Sequence, residues 1–147
     1  MTLRCVMLWA LWIAPANAQE WAGVSPEVWS SIGAAHVTKH VERDLWRAAL
    51  ANGALVRVEV LATEDAAQRA FAFQSRALTS RVPEEGVFQA GDAVGNGEDY
   101  LLVRDQNVLL SVHDAKGHQA AAHVERLREA LVMRSAAPDD LAVAPSG

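Results

Sequence analysis

Cysteine is nearly absent from this chain of 147 residues, and its single copy, Cys5, lies close to the N-terminus. The rest of the chain therefore has no disulfide and no thiol chemistry, and its stability must come from packing. The sequence also lacks the patterns Gly-x-Gly-x-x-Gly, Gly-Lys-Ser/Thr and Gly-x-Ser-x-Gly. These absences exclude the common nucleotide-binding loops and the usual nucleophile of α/β-hydrolases.

Basic residues are also scarce. The chain has 13 Lys and Arg against 18 Asp and Glu, a formal net charge of -5 at pH 7. Nucleic acids and anionic membranes both require a basic surface on the protein that binds them. We therefore expect neither as a partner, and no motif in the sequence implies a cofactor.

The first eighteen residues have the pattern of a secretory signal peptide. Arg4 supplies a positive start, residues 5–14 form an apolar run, and residues 16–18 (Ala-Asn-Ala) have the small-x-small pattern of a cleavage site. The apolar run is shorter than the roughly 20 residues of a membrane-spanning helix. The sequence therefore predicts cleavage after Ala18, a mature chain that starts at Gln19 in the periplasm or outside the cell, and no permanent membrane anchor.

One domain is predicted over residues 19–134. Residues 135–147 contain two prolines and two aspartates among small residues, a composition typical of a disordered tail. No feature of the sequence indicates an oligomeric state.

Two neighbouring segments have the clearest secondary-structure patterns. Residues 54–62 alternate valine with charged side chains, as a half-buried strand does. Thr63 then caps a predicted helix, whose apolar face includes Phe71 and Phe73. A shorter helix is predicted to start at Pro26.

The C-terminal half is predicted to contain several short strands. Residues 82–85 predict a turn, and a short strand precedes the glycine-rich loop at residues 91–97. Residues 100–104 and 107–113 predict a β-hairpin. The last helix is predicted over residues 118–134.

Residues 36–51 are ambiguous. Val37, Val41 and Leu45 fit one stripe of a helix, yet they also share the parity of one strand face. The alanines and Leu50 favour a helix, at least in the second half of the segment.

The order of these elements predicts an α+β fold. Strands with one polar face fit an antiparallel sheet better than a parallel sheet buried on both faces. We expect a small antiparallel β-sheet with the helices packed on one face.

Three side chains in the ambiguous segment are candidate metal ligands. His36, His40 and Asp44 are spaced four residues apart, which places them on one side of a helix or of a strand. Two imidazoles and a carboxylate can bind zinc, copper or nickel. The alternative is a solvated polar flank, and the metalloprotease signature is absent because Val37 stands where its glutamate would be.

Two other groups of polar residues are candidate calcium-binding or catalytic sites. The loop at residues 91–99 contains four side chains with oxygen donors that suit calcium, but its spacing fails the EF-hand pattern, and a plain glycine-rich turn explains it better. Distant polar residues, such as His113 with Asp92, could also assemble an enzyme site that no local motif shows.

The sequence thus favours an exported, non-enzymatic domain that binds a protein or a small ligand in the cell envelope. One alternative is a divalent-metal-binding module that uses His36 and His40. The other is an exported enzyme without a recognisable motif.

Overall fold

The structure, a computed structural model, describes residues 20–81, 88–96 and 98–134. The predicted signal peptide, the predicted turn at residues 82–85 and the predicted tail lie outside the described residues. No helix in the described ranges is both long enough and apolar enough to cross a membrane.

Nine strands and three helices make up the described chain. The strands are β1 (Trp21–Val24), β2 (Ala34–Lys39), β3 (Leu45–Leu50), β4 (Leu55–Val60), β5 (Phe88–Ala90), β6 (Ala93–Gly95), β7 (Tyr100–Asp105), β8 (Val108–His113) and β9 (Leu131–Met133). The helices are α1 (Glu27–Ser31), α2 (Glu64–Arg81) and α3 (Ala120–Glu129).

All strand pairs are antiparallel. Seven strands form one sheet in the order β2-β3-β4-β8-β7-β6-β5, and β1 and β9 form a separate two-stranded sheet. The predicted α+β class with an antiparallel sheet is therefore confirmed. The strongest sequence patterns lie at its centre, since the predicted strand is β4 and the predicted hairpin is β7 and β8.

One face of the large sheet is apolar along its central strands, and we name it the closed face. Alternate residues of a strand point to opposite faces. On the central strands β4 and β8, the closed face consists of Val56, Val58, Val60, Val108, Leu110 and Val112, none more than 7% exposed. Helices α1 and α3 cover it with Val28, Ile32, Ala120, Val124 and Leu127, and Trp21, Trp29 and Trp46 pack against the same core.

The opposite face, which we name the groove face, is covered by α2 and by no other helix of the described chain. Phe71 of α2 packs with Val94, Leu102 and Leu109, which lie on β6, β7 and β8. The prediction that the helices lie on one face is therefore wrong for α2. The physical reason is that Leu102 of β7 and Leu109 of β8 form an apolar patch on the second face too, and α2 covers this patch.

The segment at residues 36–51 is a β-hairpin, and the prediction of a helix in its second half is wrong. Strands β2 and β3 pair with each other, and β3 pairs in turn with β4. Val41 lies between the strands and is 93% exposed, whereas Leu45 is buried. Helix propensity is a weak preference, and the hydrogen bonds offered by β4 outweigh it.

The predictions for the two longer helices are correct at some positions and wrong at others. The Thr63 hydroxyl accepts a hydrogen bond from the Ala66 amide at 3.0 Å, as expected of a helix cap. Phe73, placed on the apolar face by the sequence, is 67% exposed. The last helix ends at Glu129, because Leu131 continues into β9 and pairs with β1.

A polar cluster fixes the start of α3, and we name it the Asp114 cluster. The Asp114 carboxylate is buried and accepts hydrogen bonds from the backbone amides of Gly117 and Gln119 and from the Asn52 side chain, at 2.8–3.0 Å. His123 lies 3.6 Å from the same carboxylate. The cluster therefore ties the β3–β4 turn to the helix that covers the closed face.

Candidate functional site

The part of the groove face that α2 leaves uncovered forms a groove. It has a volume of about 580 Å³ and is lined by residues from five strands and from α2. Pockets for small molecules commonly have volumes of roughly 300–1,000 Å³. The groove is therefore large enough for a small ligand.

Two rows of cross-strand neighbours form the floor. Directly paired residues of antiparallel strands lie on the same face, so each row crosses the sheet from β2 to β7. The first row is His36, Ala49, Leu55, His113 and Tyr100. The second row is Thr38, Arg47, Arg57, Ser111 and Leu102.

Helix α2 forms the wall of the groove through Gln74, Ala77 and Leu78. Its first turn is held by Glu64, whose carboxylate lies 3.2 Å from the Arg104 guanidinium of β7. Because Leu78 also packs against the buried Phe71 cluster, the wall is part of the folded core and not a separate flap.

Leu55 is the most unusual residue of the floor. It lies on β4, with a paired strand on either side, yet it is 59% exposed. Its flanking neighbours in the row are Ala49 and His113. A large apolar side chain in the middle of a sheet, left open to solvent inside a concavity, is a feature of ligand-binding surfaces.

Two arginines lie directly opposite each other in the second row. Arg47 of β3 and Arg57 of β4 are cross-strand partners, a pairing of like charges that destabilises a sheet. Arg57 donates a hydrogen bond to Glu59 at 3.0 Å, and Arg43 also contacts that buried carboxylate. The Arg47 side chain makes no hydrogen bond or ion pair with any described residue, so this guanidinium has no counter-charge within the described part of the chain.

Tyr100 and His113 close the end of the first row beneath α2. Their rings stack with centroids 5.9 Å apart. Tyr100 is 5% exposed, and its hydroxyl has no hydrogen-bond partner among the described residues. Desolvation raises the pKa of Tyr100 and lowers the pKa of His113, so both side chains are held in their neutral forms near pH 7.

The next strand fixes the backbone of Tyr100. A Cβ added at Gly95 would lie 2.5 Å from the Tyr100 carbonyl oxygen, and Gly95 has a positive φ of 146°. Only glycine permits so close an approach of β6 to β7 with this backbone conformation. The stacked pair therefore sits at a position that the backbone defines closely.

The predicted metal ligands are not arranged on one helix face. His36 lies on β2 in the groove, and His40 lies in the β2–β3 turn, where its Nδ1 accepts the Glu42 amide at 3.1 Å. Asp44 is in the same turn and lies 3.5 Å from Lys39. Among the described residues, no group of three or more His, Cys, Asp or Glu side chains is placed to hold a metal ion.

His36 and His113 both line the groove but lie far apart. Three strand spacings separate them, about 14 Å at ~4.8 Å for each spacing. One ion cannot bridge this distance, since metal–nitrogen bonds are about 2 Å long.

The other polar residues considered in the sequence are used within the fold. Asp92 pairs with Arg104 at 3.0 Å, and Arg104 is opposite Leu109, four residues from His113 along β8. His113 and Asp92 are therefore not brought together. In the glycine-rich loop, the Asn96 side-chain oxygen accepts the backbone amides of residues 98–100, as a tight turn requires.

The arrangement of the groove suits binding. The floor has two aliphatic hydroxyls, those of Thr38 and Ser111, and neither is hydrogen-bonded to a histidine in the described part of the chain. A nucleophile next to a base, the usual unit of covalent catalysis, is therefore not formed there. What the groove does provide is apolar surface, two guanidinium groups and the Tyr100 hydroxyl.

Sequence reasoning did not identify the groove. The alternation in residues 54–62 correctly predicts a strand. The polar face of that strand carries Arg57 and has the pattern of ordinary solvated surface. A useful signal was present in Leu55, an apolar residue on that otherwise charged face. Tyr100 could not be singled out, because its neighbours in the floor come from strands that are distant in sequence.

Comparisons with known proteins add no family to this description. No protein-family model matches the chain, and no curated protein or solved structure matches it significantly. The geometry of the groove is therefore what indicates a function.

Proposed function

We propose that the chain is an exported, non-enzymatic binding protein whose groove holds a small ligand with an apolar part. The observation that carries this proposal is Leu55, which is 59% exposed on a central strand inside the groove. A ligand that covers it would gain roughly 25 cal/mol for each Å² of apolar surface removed from water.

The shape of the surface favours a small ligand over a protein partner. Leu55 lies in the floor of a groove beside the α2 wall, where a small molecule can contact the floor and the wall together. A concave site with apolar walls and a few polar groups is the usual form of a small-molecule pocket.

Export is supported by the N-terminal pattern of Arg4, the apolar run and Ala18. The test is N-terminal sequencing or intact-mass measurement of protein from the expressing cells. We expect a mature chain that begins at Gln19, and we expect Ala18→Trp to block processing, because the peptidase accepts a small side chain there. Unprocessed chain with Met1 retained in the membrane fraction would contradict this part.

Ligand binding is tested with N-phenyl-1-naphthylamine, a neutral probe that fluoresces in apolar sites. We expect saturable binding of one probe to each protein molecule. Ala77→Trp fills the groove from the α2 wall and is expected to abolish binding, whereas Ala72→Trp, on an exposed position of the same helix, is the matched control.

A second pair of variants with smaller structural changes tests the groove with less risk of misfolding. Leu55→Thr keeps a residue that suits a strand, removes apolar surface from the floor, and is expected to weaken probe binding several-fold. Val132→Thr makes a similar change at an exposed apolar residue of β9, outside the groove, and is expected to have no effect. Equal binding by both variants and the unmodified protein would refute the groove as the site.

A further inference from the structure

The groove differs in charge from the rest of the molecule. The chain has a formal net charge of -5, yet the described lining of the groove contains two arginines and no Asp or Glu. A basic lining in an acidic protein attracts an anion and repels a cation. The location of the positive charge thus indicates that the ligand is negatively charged.

The fold does not neutralise this charge. Glu59 lies on the same strand face, but its buried carboxylate is shared by Arg43 and Arg57. Arg47, directly opposite Arg57, has no acidic partner among the described residues. Two guanidinium groups thus share one carboxylate while the third has none. An added anion between Arg47 and Arg57 would offset the repulsion between these two side chains.

Hydrogen-bond donors in the floor are also unused. The Arg57 Nε and the Tyr100 hydroxyl are both buried and lack a partner in the described part of the chain. A buried donor without a partner is destabilising, so an acceptor that reaches these groups would be bound favourably. Thr38 and Ser111 flank the two arginines and add hydroxyls to the same row.

The middle of the first row is apolar. Ala49 and Leu55 lie in the first row beside the arginine row, and Ala77 and Leu78 face them from α2. A ligand that contacts both rows needs an acidic group for the arginines of the second row and an adjacent hydrocarbon part for the apolar residues of the first row. A phosphate or a sugar acid would use the arginines and leave Leu55 uncovered.

We propose that the ligand is a singly charged amphiphilic acid, a carboxylate with a hydrocarbon chain. Arg47 and Arg57 hold its carboxylate, and the chain lies over Leu55 along the α2 wall. This inference rests on the proposed binding function and adds the chemical class of the ligand.

The test uses three ligands with the same hydrocarbon chain and different head groups. Dodecanoate, dodecan-1-ol and dodecyltrimethylammonium are titrated into tag-free protein at pH 7.5, below micellar concentrations, by calorimetry. We expect one dodecanoate to bind to each chain, at least tenfold more tightly than dodecan-1-ol, because hydrogen bonds to a charged group contribute about 1.5–3 kcal/mol. The ammonium compound should bind weakest.

Arg47→Gln isolates the contribution of the charge. Arg47 is exposed and makes no contact that the fold needs, so this variant should retain the melting temperature. We expect it to lose about tenfold in affinity for dodecanoate and to bind dodecan-1-ol unchanged. Arg69→Gln, at an exposed arginine on α2, is the matched control and should change neither affinity.

The outcomes separate the two proposals. Equal affinity for dodecanoate and dodecan-1-ol, or an Arg47→Gln variant that binds dodecanoate normally, would overturn the acid specificity and leave the binding groove intact. Binding of N-phenyl-1-naphthylamine without binding of any dodecyl compound would also overturn it. Failure of all four compounds to bind would refute the proposed function itself.

Discussion

The two faces of the large sheet are built from the same strands and have opposite properties. Along β8, Val108, Leu110 and Val112 are fully buried on the closed face, whereas Ser111 and His113 line the groove on the other face. The closed face is covered by two helices and a small sheet, and the groove face by a single helix at one side. The closed face therefore accounts for most of the apolar burial, and the groove face has surface available for a ligand.

This difference has a physical origin in composition. The closed face has a continuous run of Val and Leu, so leaving it in water would be costly at about 25 cal/mol per Å². The groove face has charged residues on β3 and β4, which need water or a counter-charge. Only the part near β6, β7 and β8 is apolar enough to bind α2, and the groove begins where that part ends.

The largest expected effect tests whether one cluster holds α2 on the groove face. Phe71→Ala should reduce the free energy of unfolding by about 3–5 kcal/mol, since it removes a buried aromatic ring from the packing with Leu102 and Leu109. Arg69→Ala, at an exposed position of the same helix, should change it by less than about 0.5 kcal/mol. Urea denaturation measures both, and equal losses would mean that α2 does not pack through Phe71.

The next prediction compares the same substitution on the two faces. Leu110→Ala, at a fully buried leucine of the closed face, should cost about 2–5 kcal/mol. Leu55→Ala, at the 59% exposed leucine of the groove, should cost less than about 1 kcal/mol. A similar loss at both positions in urea denaturation would show that the groove is closed in the free protein.

A smaller effect concerns the Asp114 cluster, which joins α3 to the closed face. Asp114→Asn should cost about 1.5–3 kcal/mol at pH 7, the usual range for hydrogen bonds to a charged group. Asp65→Asn, at an exposed aspartate that contacts only Arg69, is the control and should cost about 0.3–0.5 kcal/mol.

The effect of Asp114→Asn should depend on pH. Burial raises the pKa of Asp114, but the hydrogen bonds from Gly117, Gln119 and Asn52 and the charge of His123 outweigh it, so the pKa lies below its ordinary value of 3.8. Its stabilising contribution is therefore complete well above pH 3.8 and is lost as the pH falls through the lowered pKa. Unfolding free energies at pH 7 and pH 3 should show a smaller difference between the two proteins at pH 3, and an unchanged or larger difference would contradict this assignment.

The sequence predicted elements correctly where its pattern was local. The alternation of residues 54–62, the Thr63 cap and the β7–β8 hairpin each depend on residues within a few positions of one another. At residues 36–51 the pattern left helix and strand open and favoured a helix in the second half. That preference is wrong, because β4 provides a partner strand for β3. It also missed β1 and β9, because each depends on a partner more than a hundred residues away.

The candidate site could not be predicted in the same way. The groove is lined by residues that are distant in sequence, such as His36, Arg57 and Tyr100. They line the same groove only because the strand order β2-β3-β4-β8-β7 places them on adjoining rows. The candidate metal set of His36, His40 and Asp44 was chosen by spacing alone. In the structure its members lie on a strand and in a turn, and only His36 lines the groove.

The amino-acid sequence by itself determined the α+β class, the central strands and the excess of negative charge, because composition and short-range periodicity set these properties. The tertiary structure alone decided which face of each strand would be covered. Which face is covered depends on how much apolar surface α2 can bury against neighbouring strands. That buried area comes from contacts between segments that are distant in sequence. The groove, with its exposed Leu55 and its unpaired Arg47, is the region that this match leaves uncovered.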